Sequence, residues 1–340
     1  MSTGSAHPWL VADIGGSNAR FGWVAGPGSA IARIETLAVA QHAGPAEAAH
    51  RYLASLAGEL GDAYSPPRHA ALAVATAVAG DQVSLTNSPW SFSCAAVRDR
   101  LGLEQLIVLN DFEALALSLP HLRADQLRCH GALPQAAGTL AVIGPGTGLG
   151  VAGVVQTAGG WVALPGEGGH STLAPADDFE SEILRWVRGR HEHVSAERLL
   201  SGIGLPLLHE ALAAIEGRPP PPPSSAEQIV GAGVADADRE SRRTLLTFCA
   251  LLGGFAGSVA LTLGARGGVY IGGGIVPRMA DLFFASAFRD RFEAKGRLAP
   301  YLAQVPTPLI TDTLAALAGA AASIQGRLPA LPAARAIEVA

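Results

Sequence analysis

Lysine is almost missing from this chain. Among its 340 residues, Lys295 is the one lysine, and arginine carries nearly all the positive charge. A P-loop needs Gly-Lys-Ser/Thr, and Lys295 is followed by Gly296, so that phosphate-binding device is excluded. The strand lysine of protein kinases is excluded on the same ground. Cysteine is scarce as well. Cys94, Cys129 and Cys249 lie far apart with no CxxC pair, which argues against a disulfide scaffold and a cysteine zinc site, and for a reducing cytoplasm. Charged residues make up only 16%, with a net charge of -5, so there is no basic field for nucleic acid or an anionic membrane. Met1 to Trp9 has no basic stretch before an apolar core, and a secretory leader is not expected.

What is abundant is glycine, at 41 residues, and hydrophobic side chains, at 49%. Such a chain can bury two sizeable cores and make many tight turns, which suits an α/β protein better than a helical bundle. The 21 uncharged residues from Thr244 to Gly264 are long enough to span a membrane. They contain four glycines and run straight into a strand-like segment, so the expectation is a buried helix and no membrane.

Trp9 to Ile14 reads as a short apolar strand, joined by Gly15-Gly16-Ser17-Asn18 to a second one at Arg20 to Val24. That pattern is a hairpin, and Ile31 to Ala38 extends its sheet. Residues 45–60 have helical spacing, His69 to Val78 and Leu106 to Leu109 read as strands, and Phe112 to Leu119 as a helix. A second glycine-rich strand-turn-strand unit spans Thr139 to Val155 and echoes the first. Five prolines, Pro219 to Pro223, mark an extended loop, after which Ser224 and Glu227 stand at capping-box spacing. Val269 to Gly274 is a strand ending in glycines, and Pro277 suits the first turn of a following helix.

Without lysine, phosphate must be held by backbone amides, hydroxyls and close-approaching glycines. Three segments offer these: Asp13 to Asn18, Gly144 to Gly150, and Gly272 to Gly274. Singly, each reads first as a turn between strands; together they point to a phosphate site. Gly148, Gly150 and Gly153 match the dinucleotide GxGxxG, but the chain continues as a strand where that motif opens a helix. Asp13 could anchor Mg²⁺ near the phosphates or accept backbone bonds in its own turn.

Asn110-Asp111 stands at a strand-to-helix junction, where a carboxylate could cap the helix. Phosphoryl transfer to a hydroxyl also needs a positioned base, and Asp111 would serve. In Pro165-Gly166-Glu167-Gly168-Gly169-His170, a carboxylate and an imidazole three residues apart could read vicinal hydroxyls, with metal binding as the rival. Glu197 reads locally as a first-turn glutamate of a helix capped by Ser195. His191-Glu192-His193 reads as a solvated polar cluster.

The segments DIGGSNARF, LTNSPWSFS, LNDFEALA, IGPGTGLGVA, LPGEGGHSTLAP, AERLLSGIGL and GGVYIGGGIVPR stand in one order from about residue 10 to past residue 300. Together they resemble the bacterial glucokinase family, of the sugar kinase, Hsp70 and actin superfamily. The resemblance implies a two-lobed, actin-like (ribonuclease H-like) ATPase fold with an ATP and sugar cleft between lobes. The small lobe is expected at 8–120 plus 313–335 and the large lobe at 121–312. It further implies a cytoplasmic homodimer that uses Mg²⁺ and ATP to phosphorylate the 6-hydroxyl of glucose, the entry to glycolysis.

By position, the resemblance makes Asp111 the general base and Asn110, Glu167, His170 and Glu197 sugar ligands. Thr86 and Asn87 match a sugar-pocket segment. Gly15, Gly16, Ser17 and Asn18 match the first phosphate loop, with Asp13 before it. Gly146, Thr147 and Gly148 match the second, and Gly272, Gly273 and Gly274 the adenosine side. Ser17 replaces the family's usual Thr, and Thr311 to Ala315 lacks the usual glycine-containing turn. The cysteine-rich zinc motif of the other bacterial glucokinase group is absent. Rival expectations are a mannose or fructose kinase and a sugar-sensing protein with a retired active site.

Overall fold

The computed structural model describes residues 7–131 and 133–327. The chain folds as two compact units: one runs to Leu109 and takes back the chain from Ala320, and the other is Asn110–Gly319. Of the small lobe expected at 8–120 plus 313–335, residues 328–335 lie outside the described residues.

In the first unit, β1 (Trp9–Ile14), β2 (Asn18–Val24) and β3 (Ile31–Ala38) form an antiparallel meander. Helix α1 (Pro45–Leu60) follows, then β4 (His69–Val74), the short pair β5 (Gln82–Ser84) and β6 (Ser91–Ser93), α2 (Cys94–Leu101) and β7 (Gln105–Asn110). The main sheet has the order β3-β2-β1-β4-β7, with β4 parallel to β1. Leu10, Ala12 and Ile14 alternate along β1 into a core with Tyr52, Leu53 and Leu56 of α1. The period-2 pattern of the strand thus meets the apolar face of the helix.

The second unit begins with α3 (Asp111–Ser118) and β8 (Leu127–Arg128), then a second meander, β9 (Thr139–Pro145), β10 (Leu149–Thr157) and β11 (Gly160–Leu164). Four helices follow: α4 (Asp178–Arg188), α5 (Gly204–Ile215), α6 (Ala226–Val234) and α7 (Arg239–Leu263). The chain closes with β12 (Gly268–Ile271), α8 (Ala280–Ala285), α9 (Phe288–Glu293), α10 (Ala299–Leu302), β13 (Leu309–Ile310) and α11 (Ala315–Gln325). The sheet order is β11-β10-β9-β12-β13-β8, with β12 parallel to β9 as β4 is to β1. The two glycine-hairpin units therefore open two sheets of like topology.

Strand β9 is apolar and buried from Leu140 to Pro145, with both its faces covered. Ala141 and Ile143 join the core formed with α4 to α7, whereas Leu140 and Val142 pack with Ala116 of α3. Helix α7 passes a membrane test of length and composition, yet 67% of its most apolar window is buried inside the protein. Gly253 and Gly257, one turn apart, let α9 lie directly on it: a Cβ at either would meet the carbonyl oxygen of Phe288 or Phe292.

Two local expectations are corrected. The capping box after the prolines uses Ser225 and Gln228, one residue beyond Ser224 and Glu227. The Ser225 hydroxyl accepts the Gln228 N–H at 3.3 Å, and Gln228 Oε1 accepts the Ser225 N–H at 2.8 Å. Glu197 opens no helix; it sits in an irregular turn, and the next helix starts at Gly204.

Candidate active site

The first unit brings together two of the segments singled out in the sequence. The Gly15 N–H donates to the Asn18 carbonyl at 2.9 Å, closing the turn between β1 and β2. Gly16 lies against residue 87, where a Cβ would stand 2.6 Å from the Asn87 carbonyl oxygen, so Gly16 and Asn87 are in contact. Thr86 Oγ1 is 3.5 Å from Thr76 Oγ1. Asp13, Gly15, Gly16, Ser17, Asn18 and Arg20 line a cavity of about 250 Å³. Arg20 went unmarked in the sequence, although it pairs with Asp13 across the hairpin. Its guanidinium is 3.8 Å from the Asp13 carboxylate. Burial pushes the Asp13 carboxyl up from its ordinary range, and Arg20 offsets this only in part.

In the second unit, Asn110 is the N-cap of α3. Its Oδ1 accepts the N–H groups of Phe112 at 2.9 Å and Glu113 at 3.3 Å, which leaves Asp111 as the first helical residue. The capping role considered for Asp111 thus belongs to its neighbour, while Asp111 Oδ1 accepts the Phe112 N–H at 3.0 Å. The Phe112 ring lies on Gly144 and Gly150, cross-strand partners in the β9–β10 ladder.

The loop between those strands is closed by the Gly146 N–H on the Gly148 carbonyl at 2.8 Å. The Gly202 N–H holds the Gly146 carbonyl at 2.7 Å. Thr147 is exposed at its tip. Gly272 donates to the Ile143 carbonyl at 2.8 Å and Ile275 to that of Pro145 at 3.1 Å, which brings the third glycine segment beside the second. Gly273 has φ +74°, and a Cβ there would collide with Pro145, so glycine is required twice over.

Glu167, His170 and Glu197 are also drawn together. His170 Nε2 is 3.9 Å from Glu167 Oε2, and its Nδ1 is 3.9 Å from Glu197 Oε1. The Glu197 N–H donates to the Gly169 carbonyl at 2.8 Å, and Glu197 Oε2 accepts the Leu149 N–H at 2.8 Å. The Glu167 and His170 side chains are mostly exposed, at 65% and 60%, with Glu197 at 29%. Two carboxylates flanking an imidazole offer acceptors on both sides of a group that can donate or accept, a set suited to a ring of hydroxyls.

Two meander sheets of like topology, each opened by a glycine hairpin, are the arrangement of the actin-like ATPase fold, which solved glucokinases share. Among solved structures, a glucokinase from an Antarctic psychrotroph matches with a TM-score of 0.85 and 37% identity, covering 94% of this chain and 98% of that one. A ROK family glucokinase from Streptomyces griseus, solved with glucose and AMPPNP, shares the fold with a TM-score of 0.58 and 18% identity, over 92% of this chain and 98% of that one. The glucokinase family model matches residues 10–327. The glucokinase of Chromobacterium violaceum is 49% identical over 331 residues, 96% of this chain and 93% of that protein. The chain belongs to the glucokinase family.

Proposed function

We infer that the protein transfers the γ-phosphoryl group of ATP to the 6-hydroxyl of glucose, yielding glucose 6-phosphate and ADP. The observation that carries this reading is the gathering of Glu167, His170 and Glu197, with Glu197 bonded to the strand that leaves the Gly146–Gly148 loop. Hydroxyl readers and a phosphate-loop candidate are thereby held by one side chain. The glucose and AMPPNP of the Streptomyces griseus glucokinase support the same pair of substrates.

In the reaction, Asp111 accepts the proton of the 6-hydroxyl. The oxygen forms a bond to the γ-phosphorus, and the bond from that phosphorus to the bridging oxygen breaks, its electron pair leaving on ADP. Asn110, Glu167, His170 and Glu197 hold the sugar, with Thr86 and Asn87 as further pocket residues. The loops Gly15 to Asn18 and Gly146 to Gly148 donate backbone N–H groups to phosphate oxygens, the Gly15 and Gly146 amides excepted because they close the two turns, and Gly272 to Gly274 lie on the adenosine side. Asp13 fits Mg²⁺ held through water, because its partly buried carboxylate lines the same cavity as Gly15 to Asn18 and Arg20, 3.8 Å away, compensates it only in part. Mg²⁺ would neutralise charge on the phosphate oxygens. We place the protein in the cytoplasm as a soluble homodimer at the entry to glycolysis.

The test is sugar-dependent ADP formation with Mg·ATP over glucose, mannose, fructose and N-acetylglucosamine, with Asp111→Asn beside it. Selective turnover of glucose, reduced on the order of 100- to 10,000-fold in the variant, is expected. Preference for another hexose would reassign the substrate. No turnover of any sugar by protein that glucose still stabilises thermally would sink the reading in favour of a sensor.

A further inference from the structure

The first turn of α3 is packed against three residues that have no side chain. A Cβ on Gly150 would overlap ring atoms Cδ2 and Cε2 of Phe112, and one on Gly144 would overlap Cζ and Cε1. A Cβ on Gly319, in α11, would collide with the Ala114 carbonyl oxygen. Glycine inside a strand weakens it and marks a close approach. Here two glycines stand opposite each other in one ladder, and the same ring fills both gaps. An apolar core needs no such slot; Leu or Val over Ala would bury similar area without the backbone cost.

The slot also has a definite address. Gly144 and Gly150 are the feet of the hairpin whose tip is Gly146-Thr147-Gly148. At the other end of the Phe112 residue, its N–H is bonded to Asn110 Oδ1 at 2.9 Å and Asp111 Oδ1 at 3.0 Å. The residue that seats the ring thus also holds the Asn110 and Asp111 side chains through its own amide.

We propose that Phe112 is a positioning residue for phosphoryl transfer: its ring, seated between Gly144 and Gly150, sets the Asp111 carboxylate relative to the Gly146–Gly148 loop. Phe112 acts through Asp111 and touches neither substrate. The inference rests on the base assignment made above for Asp111. Displacing a reacting group by about 1 Å can cost on the order of 100-fold in rate, so a rigid ring is a more useful spacer than a flexible aliphatic chain.

The experiment is a double-mutant cycle read in kcat for glucose at saturating Mg·ATP. Phe112→Leu and Phe112→Met are each made in the wild type and in Asp111→Asn, at enzyme concentrations that keep residual turnover measurable. In the wild type, either change is expected to lower kcat roughly 10- to 100-fold with little change in the glucose KM. In Asp111→Asn the same change is expected to cost about threefold or less, because there is no base left to position. Thermal unfolding is followed throughout. A Phe112 variant that does not fold is replaced in the cycle by Gly150→Ala, which crowds the ring from the strand side. Unchanged kcat, or an equal loss in both backgrounds, overturns the proposal and leaves Phe112 a packing residue. A wild type inactive on every sugar would remove the functional reading and this inference together. An active wild type insensitive to Phe112 removes this inference alone.

Discussion

The carboxylate of Glu197 accepts the backbone N–H of Leu149 at 2.8 Å, across 48 positions of sequence. Its other oxygen stands 3.9 Å from the His170 imidazole. A Cβ on Gly148 would collide with the same carboxylate, so the hairpin tip and the acid are fitted to each other. One side chain thus braces the start of β10 and presents charge beside His170.

Substitutions at Glu197 should separate these two jobs. Glu197→Gln keeps an acceptor for the Leu149 N–H but loses the charge. We expect nearly wild-type thermal stability and a fall in kcat/KM for glucose on the order of 10- to 100-fold, the worth of a hydrogen bond to a charged group. Glu197→Ala leaves the Leu149 amide without its partner and should in addition cost about 1–3 kcal/mol in urea unfolding. Equal loss of stability in both variants would contradict this division.

Gly253 and Gly254 are neighbours in α7 with opposite expected responses to alanine. A Cβ at Gly253 meets the Phe288 backbone, whereas one at Gly254 meets nothing within 4 Å. Gly253→Ala should destabilise by about 1–3 kcal/mol through overpacking. Gly254→Ala should stabilise by up to about 1 kcal/mol through helix propensity. Chemical denaturation of the two single variants checks the sign of each.

His209 should make the fold sensitive to mild acid. Its Nδ1 is 2.8 Å from Thr244 Oγ1, a hydroxyl whose own proton goes to the Glu240 carbonyl, so the neutral imidazole donates. Burial lowers the His209 pKa from its ordinary 6.5; Asp238, Glu240 and Glu210 favour the charged form, Arg218 opposes it, and burial prevails. The unfolded chain therefore takes up the proton first. Stability is full above pH 6.5 and declines as pH falls through that value toward the lowered one in the folded state. The limiting slope is roughly 1.4 kcal/mol per pH unit for a fully titrating group, and the half-buried His130, its pKa also lowered by burial, acts in the same direction. In His209→Gln the fall in Tm between pH 7 and pH 5 should be shallower; an unchanged slope would show that the imidazole is not the group responsible.

The thiols should fall into two classes. Cys249 is fully buried in α7, and burial pushes its pKa up to about 12. Cys94 and Cys129 are partly exposed, with smaller upward shifts from burial. A colorimetric thiol reagent at pH 8 should label at most two groups in the native protein and the third only with unfolding. Labelling of Cys249 at the rate of the others would imply opening of the core around α7.

Much of this was legible because it depends on near neighbours in sequence. The β1–β2 hairpin is announced by apolar runs around Gly15 to Asn18, α1 by its spacing from Pro45, and the buried character of α7 by the glycines that receive α9. The GxGxxG decoy is resolved by β10, a strand where a dinucleotide site needs a helix. The capping box slipped by one residue because Ser224-Ser225 and Glu227-Gln228 offer the same chemistry twice, and no local pattern chooses between them. Glu197 was misplaced in a helix because its turn is imposed by bonds to Gly169 and Leu149, which no local pattern records. The slot for Phe112 is equally invisible, since glycines at 144 and 150 read as turn residues until the ring on them is seen. Arg20 could have been found by writing out the hairpin register, which sets it opposite Asp13.

The near absence of lysine has a chemical consequence for the finished protein. Lys295 supplies its one side-chain amine, and that nitrogen donates to the Gly254 carbonyl at 2.7 Å and to Ser258 Oγ at 3.0 Å. Acyl donors and cyanate, which accumulate in metabolising cells, attack amines and spare peptide N–H groups. The Gly15–Asn18 and Gly146–Gly148 loops carry no side-chain amine and are inert to such electrophiles. Carbamylation or acetylation of Lys295 would instead weaken the tie between the segment after α9 and α7, so attack on its side-chain amine would register as a loosened fold.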